Sequence, residues 1–261
     1  MAGPTPVAIS VGSAPPGLTL VGVGPGDPEL VSVAALRAIR AAAVVAYPVA
    51  REGGEGMAAA IAAPWLEPGQ RRLPLLFPMV PEAAPRIAAW HAAADALAAE
   101  VAADRAVVLL CEGDGSLFAS SSYVLLALRQ RHPHCALRVI PGVPAVCAAA
   151  AAASSAGIPW PLALQSEALL IRPTPDGAAE LESLLEQAAG AATVLALLKL
   201  GQRWRWVRPL LERRDLLQNA LFAQRVGWPD QLVTPAAAVP AEERPYFSLL
   251  LIRQGWPPVL P

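Results

Sequence analysis

The stretch LTLVGVGPGDPEL, Leu18 to Leu30, decides the fold. Leu18 to Val23 is a short apolar run of buried-strand type, GPGDP is a glycine and proline turn, and a helical pattern follows from Pro28 to Ala42. Strand, tight turn and helix in that order open an α/β unit. Gly22, Gly24 and Gly26 are spaced G-x-G-x-G. The third glycine of the dinucleotide fingerprint, which lets helix and strand close over a pyrophosphate, is missing, so a nicotinamide site is not expected. Asp27 is placed to cap the helix that starts with Pro28. A second role for it, facing a ligand, stays open.

Working outward, the same rhythm repeats. Val44 to Tyr47 reads as a strand, Met57 to Ala63 and Arg86 to Ala103 as helices, Ala106 to Cys111 as a buried strand, Ser120 to Gln130 as a helix and Leu137 to Ile140 as a strand stopped by Pro141-Gly142. Alternation of this kind predicts a parallel sheet covered on both faces. Beyond Pro141 come an alanine helix (Pro144 to Ser155), an RPTPDG turn (Arg172 to Gly177) and helices over Ala178 to Ala189 and Trp204 to Arg213. Strands fit Thr193 to Leu198, Leu221 to Arg225 and Tyr246 to Ile252. The expected architecture is two α/β domains, residues 18–141 and a smaller or mixed-sheet domain at 142–261, after a loose tail at 1–17. A ligand cleft between the two domains is the expected site.

Composition narrows the function classes. The chain has 261 residues, 55% hydrophobic and 16% charged, with 28 prolines and 19 glycines. Net charge is −1, so there is no general field for nucleic acid or an anionic membrane surface. Three cysteines without C-x-x-C spacing indicate neither a disulfide framework nor a zinc site, and fit a reducing cytoplasm. The uncharged run Val143 to Leu164 is long enough to span a membrane, but its alanines, serines and prolines read as a buried helix, and no membrane partner is expected. HPHC at His132 to Cys135 reads as a turn rather than a metal site, and no metal is expected. RWRWVR at Arg203 to Arg208 puts Trp204, Val207 and Leu211 on one helical face, so it reads as a packed helix rather than a nucleic-acid patch.

Two further strand ends carry polar or glycine turns. LLCEGDGSLFASSSY, Leu109 to Tyr123, follows a buried strand and supplies Glu112, Asp114, Ser116 and three consecutive serines. Such a loop at the carboxyl edge of a parallel sheet either holds a ligand or is a serine-capped turn into a helix. VIPGVPAV, Val139 to Val146, repeats the pattern of strand, Pro-Gly turn and helix.

These residues resemble the tetrapyrrole methylases, which transfer methyl groups from S-adenosylmethionine to uroporphyrinogen-derived macrocycles. VGVGPGDPEL is similar to the family's first signature, Glu112-Gly113-Asp114 to its E-G-D-P-x-x-Y-G loop, and VIPGVPA to its V-I-P-G-[IV]-[ST]-[SA] turn. VVAYP ending at Pro48, LPLLFPMV (Leu73 to Val80), LLKLG (Leu197 to Gly201) and RPYFSLLLI resemble the branch that methylates C-20 of precorrin-2 to give precorrin-3A in cobalamin biosynthesis. The resemblance runs from about Leu18 to Ile252. Two other readings stay open: a methylase acting on another ring carbon or on the cobalt-containing macrocycle, and a non-catalytic cofactor- or tetrapyrrole-binding paralogue.

The resemblance implies a homodimer with S-adenosylmethionine, and after transfer S-adenosylhomocysteine, lined by Pro25, Glu112, Gly113, Asp114, Leu117, Pro144, Ala145, Leu200 and the stretch Ala223 to Val226. The acidic loop suits a cationic sulfonium. Alignment is then the protein's main task, and no covalent residue is needed; Asp27 is the candidate general base. For the carboxylates of a precorrin-2 substrate the candidates are Arg51, Arg71, Arg72 and Arg86, read as loop and helix residues bordering the cleft, with solvated surface arginine as the alternative for each. Phe77 and Met79 are candidates for an apolar floor, or, for Phe77, core. The sequence departs from the family at Gly115, Phe118 and Ala119 in the acidic loop, at Pro144 where a hydroxyl residue is common, and at Gln224 where Glu is common.

Overall fold

Leu18–Gly22 is strand β1, and every one of its residues is buried. The computed structural model describes residues 17–257; the loose tail expected at 1–17 falls almost wholly outside the described residues. The helix expected from Pro28 to Ala42 is two pieces. Asp27 accepts the Glu29 N–H at 2.8 Å and caps a 3-10 turn, Pro28–Leu30. Ser32 Oγ then accepts the Ala35 N–H at 3.1 Å and starts helix α1, Val33–Ala41. The second cap ends one helical pattern and begins another.

Strand β2 (Val44–Val49), helix α2 (Met57–Ala62), strand β3 (Arg71–Leu76), helix α3 (Ala83–Ala102), strand β4 (Val107–Cys111), helix α4 (Ser120–Arg131) and strand β5 (Leu137–Ile140) follow. The five strands form one parallel sheet in the order β3-β2-β4-β1-β5. Leu18, Leu20, Val44, Ala46, Val107 and Leu109 share a core cluster with Ala93, Ala94 and Leu97 of α3 and Val124 and Leu128 of α4. The alternate residues Val21, Val45, Val108 and Leu110 are buried as well. Both faces are therefore covered, which explains why these strands read as continuous apolar runs rather than alternating ones.

The rest of the chain gives α5 (Ala145–Ser155), β6 (Ala168–Pro173), α6 (Ala178–Gly190), β7 (Thr193–Leu198), α7 (Trp204–Arg213), β8 (Ala220–Gln224), β9 (Leu232–Pro235) and β10 (Ser248–Ile252). This second sheet has the order β6-β7-β10-β8-β9 and is mixed: β6 and β7 are parallel, and β10 runs antiparallel to both β7 and β8. Alanines of α5 pack with Ala196, Leu221, Ala223, Leu249 and Leu251, while leucines of α6 and Trp204, Val207 and Leu211 of α7 pack with Leu195, Leu197, Phe222 and Leu250. Strands β6 and β9 were not expected from sequence. Both are edge strands and partly exposed, so they lack the apolar run of a central strand, and Pro173 is tolerated at an edge.

No helix among the described residues is long and apolar enough to cross a membrane. The chain divides into two compact units. One holds the described residues up to Gly22 with Ser32–Cys111 and Phe118–Pro141; the other holds Val23–Val31, Glu112–Leu117 and the described residues from Gly142 onward. The turns that leave β1 and β4 therefore belong to the second unit, although their strands belong to the first.

Candidate functional site

Every residue that the resemblance assigns to the cofactor lies in the second unit: Pro25, Glu112, Gly113, Asp114, Leu117, Pro144, Ala145, Leu200, Ala223 and Val226. The backbone ties their loops together. Gly24 and Gly113 exchange two hydrogen bonds, Gly113 N–H to the Gly24 carbonyl at 2.7 Å and Gly24 N–H to the Gly113 carbonyl at 3.3 Å. Both glycines are left-handed, at φ +80° and +67°, a conformation that costs a side-chain-bearing residue. A Cβ at Gly113 would meet nothing within 4 Å, so there is open space beside this peptide.

The first turn is also seated on the end of β8. Trp228 Nε1 donates to the Pro25 carbonyl at 2.9 Å. A Cβ on Gly26 would stand 2.5 Å from Trp228 Cδ1, and one on Gly227, at φ +83°, would stand 2.5 Å from Asp27 N. Neither position has room for a side chain.

Asp114 is the clamp of the second turn. Its Oδ1 accepts the Ser116 N–H at 2.8 Å and the Ser116 hydroxyl, and its Oδ2 accepts the Gly142 N–H at 2.9 Å. Burial pushes its carboxyl up, but the hydrogen bonds from Ser116 and Gly142 outweigh this and hold it below the usual carboxylate range. Glu112 is the opposite case. Burial pushes it up to about 7, against the pull of the Arg225 guanidinium. Two acids two residues apart thus differ in charge state near neutrality, one committed to the backbone and the other poised to titrate.

Other expected residues are less directly placed. Leu200 and Ala223 are fully buried core side chains, leaving only their backbone to face a ligand. Asp27 spends one carboxylate oxygen on its capping bond. Pro144 is the N-cap residue of α5 and brings no side-chain cap. Gln224, where Glu is common, keeps a buried Oε1 without a hydrogen-bond partner.

The six residues expected to meet the substrate, four arginines for its carboxylates with Phe77 and Met79 as an apolar floor, all lie in the first unit. Arg71 and Arg72 are not loop residues: they open β3, and Arg71 is level with Val44 at the amino edge of the sheet. That edge is one strand length, roughly 15 Å at ~3.3 Å per residue, from the carboxyl ends where the turns leave. Arg71 there pairs with the buried Glu100 at 2.5 Å, and Glu100 also takes Arg105 at 2.6 Å. Arg86 folds back onto the Pro81 and Glu82 carbonyls at the start of its own helix. Arg51 follows β2 and lines a hollow with Ala50, Gly53, Gly54 and Glu55. Phe77 is part of the first core rather than an exposed floor, because its side chain packs with Leu75, Leu97 and Leu109, whereas Met79 is 74% exposed.

Sequence reasoning missed Trp228, Gly227 and Ser248, whose hydroxyl accepts the Gly201 N–H at 3.0 Å and donates to the Pro245 carbonyl at 2.7 Å. The G-W-P run after β8 is a turn signal that could have flagged the first two. Ser248 was invisible, since its hydroxyl accepts from Gly201, 47 residues away.

The arrangement offers backbone donors and acceptors from three turns, one locked carboxylate, one titrating carboxyl and an orphaned amide oxygen. Its one hydroxyl–carboxylate pair, Ser116 with Asp114, serves to fasten the turn, so among the described residues the site is built to hold and orient.

The family profile for tetrapyrrole (corrin/porphyrin) methylases matches residues 17–239. The cobalamin biosynthesis protein CobIJ of Mycobacterium bovis is 38% identical over 90% of this chain, and the chain spans only 45% of that relative's length. The precorrin-2 C(20)-methyltransferase of a Sinorhizobium species is 33% identical over 90% of this chain and 94% of its own. The cobalt-precorrin-2 C(20)-methyltransferase of Salmonella typhimurium is 30% identical over 92% and 97%. Among solved structures, the cobalt precorrin-4 methyltransferase CbiF superposes with a TM-score of 0.63 at 20% identity, over 90% of this chain and 94% of that one. The uroporphyrin-III C-methyltransferase of Thermus thermophilus, solved with S-adenosyl homocysteine, does so with a TM-score of 0.56 at 23% identity, over 91% and 97%. This chain belongs to the tetrapyrrole methylases.

Proposed function

We propose that the protein is an S-adenosylmethionine-dependent C-methyltransferase that methylates C-20 of precorrin-2, giving precorrin-3A and S-adenosylhomocysteine. The observation that carries this reading is its 33% identity to a precorrin-2 C(20)-methyltransferase across 90% of the chain. The second unit fits the cofactor on its own terms: open space beside the Gly113 peptide, an orphaned Gln224 Oε1 suited to an amino donor, and Glu112 as a carboxyl whose ionisation a nearby cation would favour. When bound, the cofactor supplies an electrophilic methyl group.

The chain's own residues then bind and orient. Asp114 fixes the second and third turns against each other, and Trp228 fixes the first turn on β8. Preorganised backbone of this kind lowers the entropic cost of holding two reactants at ~3–3.5 Å. Arg51, beyond the carboxyl end of β2, is the arginine we retain as a substrate contact, and Met79 an apolar one. The reading includes a cytoplasmic homodimer, which sedimentation would test.

Incubation of the purified protein with S-adenosylmethionine and enzymatically made precorrin-2 decides the matter. One methyl gained at C-20 supports the proposal; methylation at another carbon, or binding without turnover, overturns it. The Salmonella relative favours a second reading, the cobalt-loaded macrocycle as substrate, and a parallel incubation with cobalt-precorrin-2 separates the two.

A further inference from the structure

The edge of the second sheet where β7 and β8 end and β10 begins holds two non-glycine residues in the left-handed region. Lys199, just after β7, has φ +57°, and Arg225, just after β8, has φ +47°. Residues with side chains avoid this region, and it persists where surrounding contacts over-determine the backbone. Here the start of β10 does so from both sides. The Phe247 carbonyl accepts the Arg225 N–H at 2.8 Å. On the other side, the Ser248 carbonyl accepts the Leu200 N–H at 3.0 Å and the Ser248 hydroxyl accepts the Gly201 N–H at 3.0 Å while donating to the Pro245 carbonyl at 2.7 Å. The Lys199 carbonyl is held as well, by Arg203 Nη1 at 3.2 Å.

What this scaffold presents is two cations flanking two aromatic rings. Tyr246 is 45% and Phe247 39% exposed, and the rings meet edge to face with centroids 5.2 Å apart. The cations differ in commitment. Arg225 is paired with Asp230 at 2.7 Å and stacked on Trp228 at 4.9 Å. Arg203, the next cation along, is paired with Asp176. Lys199, the only lysine of the chain, lies 6.0 Å over the Tyr246 ring and has no carboxylate partner among the described residues. An ammonium beside exposed aromatic surface, on a backbone held in a costly conformation, is suited to meet a carboxylate carried on an apolar, planar body.

We propose that Lys199, backed by Tyr246 and Phe247, is the anchoring site for a ligand carboxylate. The inference rests on the methyltransferase reading, under which that carboxylate comes either from the macrocycle's acetate and propionate arms or from the amino-acid end of the cofactor. It moves substrate recognition onto the second unit, where no arginine candidate had been placed.

Two variants separate charge from fold. Lys199→Asn removes the charge but tolerates the left-handed backbone, and Lys199→Arg keeps the charge. Binding of S-adenosylhomocysteine is measured by calorimetry; binding of a porphyrin octacarboxylate and of its octamethyl ester is measured by fluorescence quenching, on proteins with matching thermal transitions. Expected is an approximately tenfold loss of octacarboxylate affinity in Lys199→Asn, rescue in Lys199→Arg, and no change for the ester. A loss confined to S-adenosylhomocysteine supports the site with the cofactor as the carboxylate's source. If Lys199→Asn matches the wild type for every ligand while the wild type still binds S-adenosylhomocysteine and methylates precorrin-2, the anchor is wrong and the functional reading stands. A wild type that binds none of these ligands removes both.

Discussion

Asp114 and Gly142, 28 residues apart in the chain, are joined by a hydrogen bond of 2.9 Å from the Gly142 N–H to the Asp114 carboxylate. The other oxygen of the same carboxylate holds Ser116. One side chain thus ties the turn after β4 to the turn before α5, two of the three segments that carry the family's signatures. An acid placed here by its motif to meet a cation is, in the structure, first a fastener of backbone.

Replacing Asp114 should therefore cost stability as well as ligand affinity. Asp114→Ala leaves the Gly142 and Ser116 N–H groups without their acceptor, a loss of about 1–3 kcal/mol, and Asp114→Asn, which keeps one acceptor oxygen, should lose less. The pH dependence has a definite sign. The folded carboxyl lies below its usual 3.8, so its contribution is complete above that value and is lost as pH falls through the folded value. Urea unfolding at neutral and acid pH checks this: the gap between wild type and Asp114→Ala should narrow in acid, and binding of S-adenosylhomocysteine should weaken in both variants.

Glu112 should behave in the opposite sense. Its folded carboxyl is raised from 4.5 to about 7, so the stability it contributes is fully present below 4.5 and is lost as pH rises through about 7. Glu112→Gln cannot ionise. Relative to wild type it should gain stability, on the order of 1–3 kcal/mol, between about pH 5 and about pH 8. Parallel curves for the two proteins in urea across that range would show that the carboxyl is not held protonated by the fold.

Gly26 and Gly227 test whether the first turn must lie against β8. Alanine at 227 meets both a left-handed backbone, at roughly 1–2 kcal/mol, and the Asp27 nitrogen 2.5 Å away, which is main chain and cannot step aside. Alanine at 26 meets the Trp228 ring at 2.5 Å and the main-chain Val226 carbonyl at 2.7 Å, but without the left-handed strain. Both variants should lower the thermal transition and weaken binding of S-adenosylhomocysteine, with Gly227→Ala the more severe. Wild-type affinity in Gly227→Ala would mean that the turn's seat on β8 is irrelevant to the ligand.

The central strands and turns were legible because local sequence carries them: a fully buried parallel strand must be an apolar run, and a tight turn after it must be glycine and proline. The edge strands β6 and β9 were not, because a half-exposed strand carries a weak pattern and Arg172-Pro173-Thr174-Pro175 has the composition of a turn. The glycine and proline turns after β1 and β4 could be read from their residues, but the fastening of Asp114 to Gly142 and of Trp228 to Pro25 could not, since both are long-range. Arg71 shows the limit most plainly. Sequence marks it as one of many arginines, and only strand register reveals that it sits at the amino edge, occupied with Glu100. Arg71→Ala should accordingly lower stability and leave the KM for the macrocycle unchanged.

Among the described residues the most heavily buried charge pair joins Arg253 to Glu167 and provides a separate test of the second unit. Arg253, 1% exposed, forks both oxygens of Glu167 at 2.8 Å, donates to the Pro161 carbonyl at 2.9 Å and stacks on Trp256 at 4.2 Å. Glu167 also accepts the Leu164 N–H at 2.7 Å, so the pair pins the segment between α5 and β6 to the end of β10. The Arg253 hydrogen bonds hold the Glu167 carboxyl below its usual range even though burial opposes this. Removing one partner strands the other charge. Glu167→Leu should cost about 3–5 kcal/mol, whereas the double change Glu167→Leu with Arg253→Met, which buries no lone charge, should recover a large part of that loss. Urea unfolding of the two single variants and the double variant completes the cycle. Strict additivity of the two single losses would show that the ion pair contributes nothing as a pair.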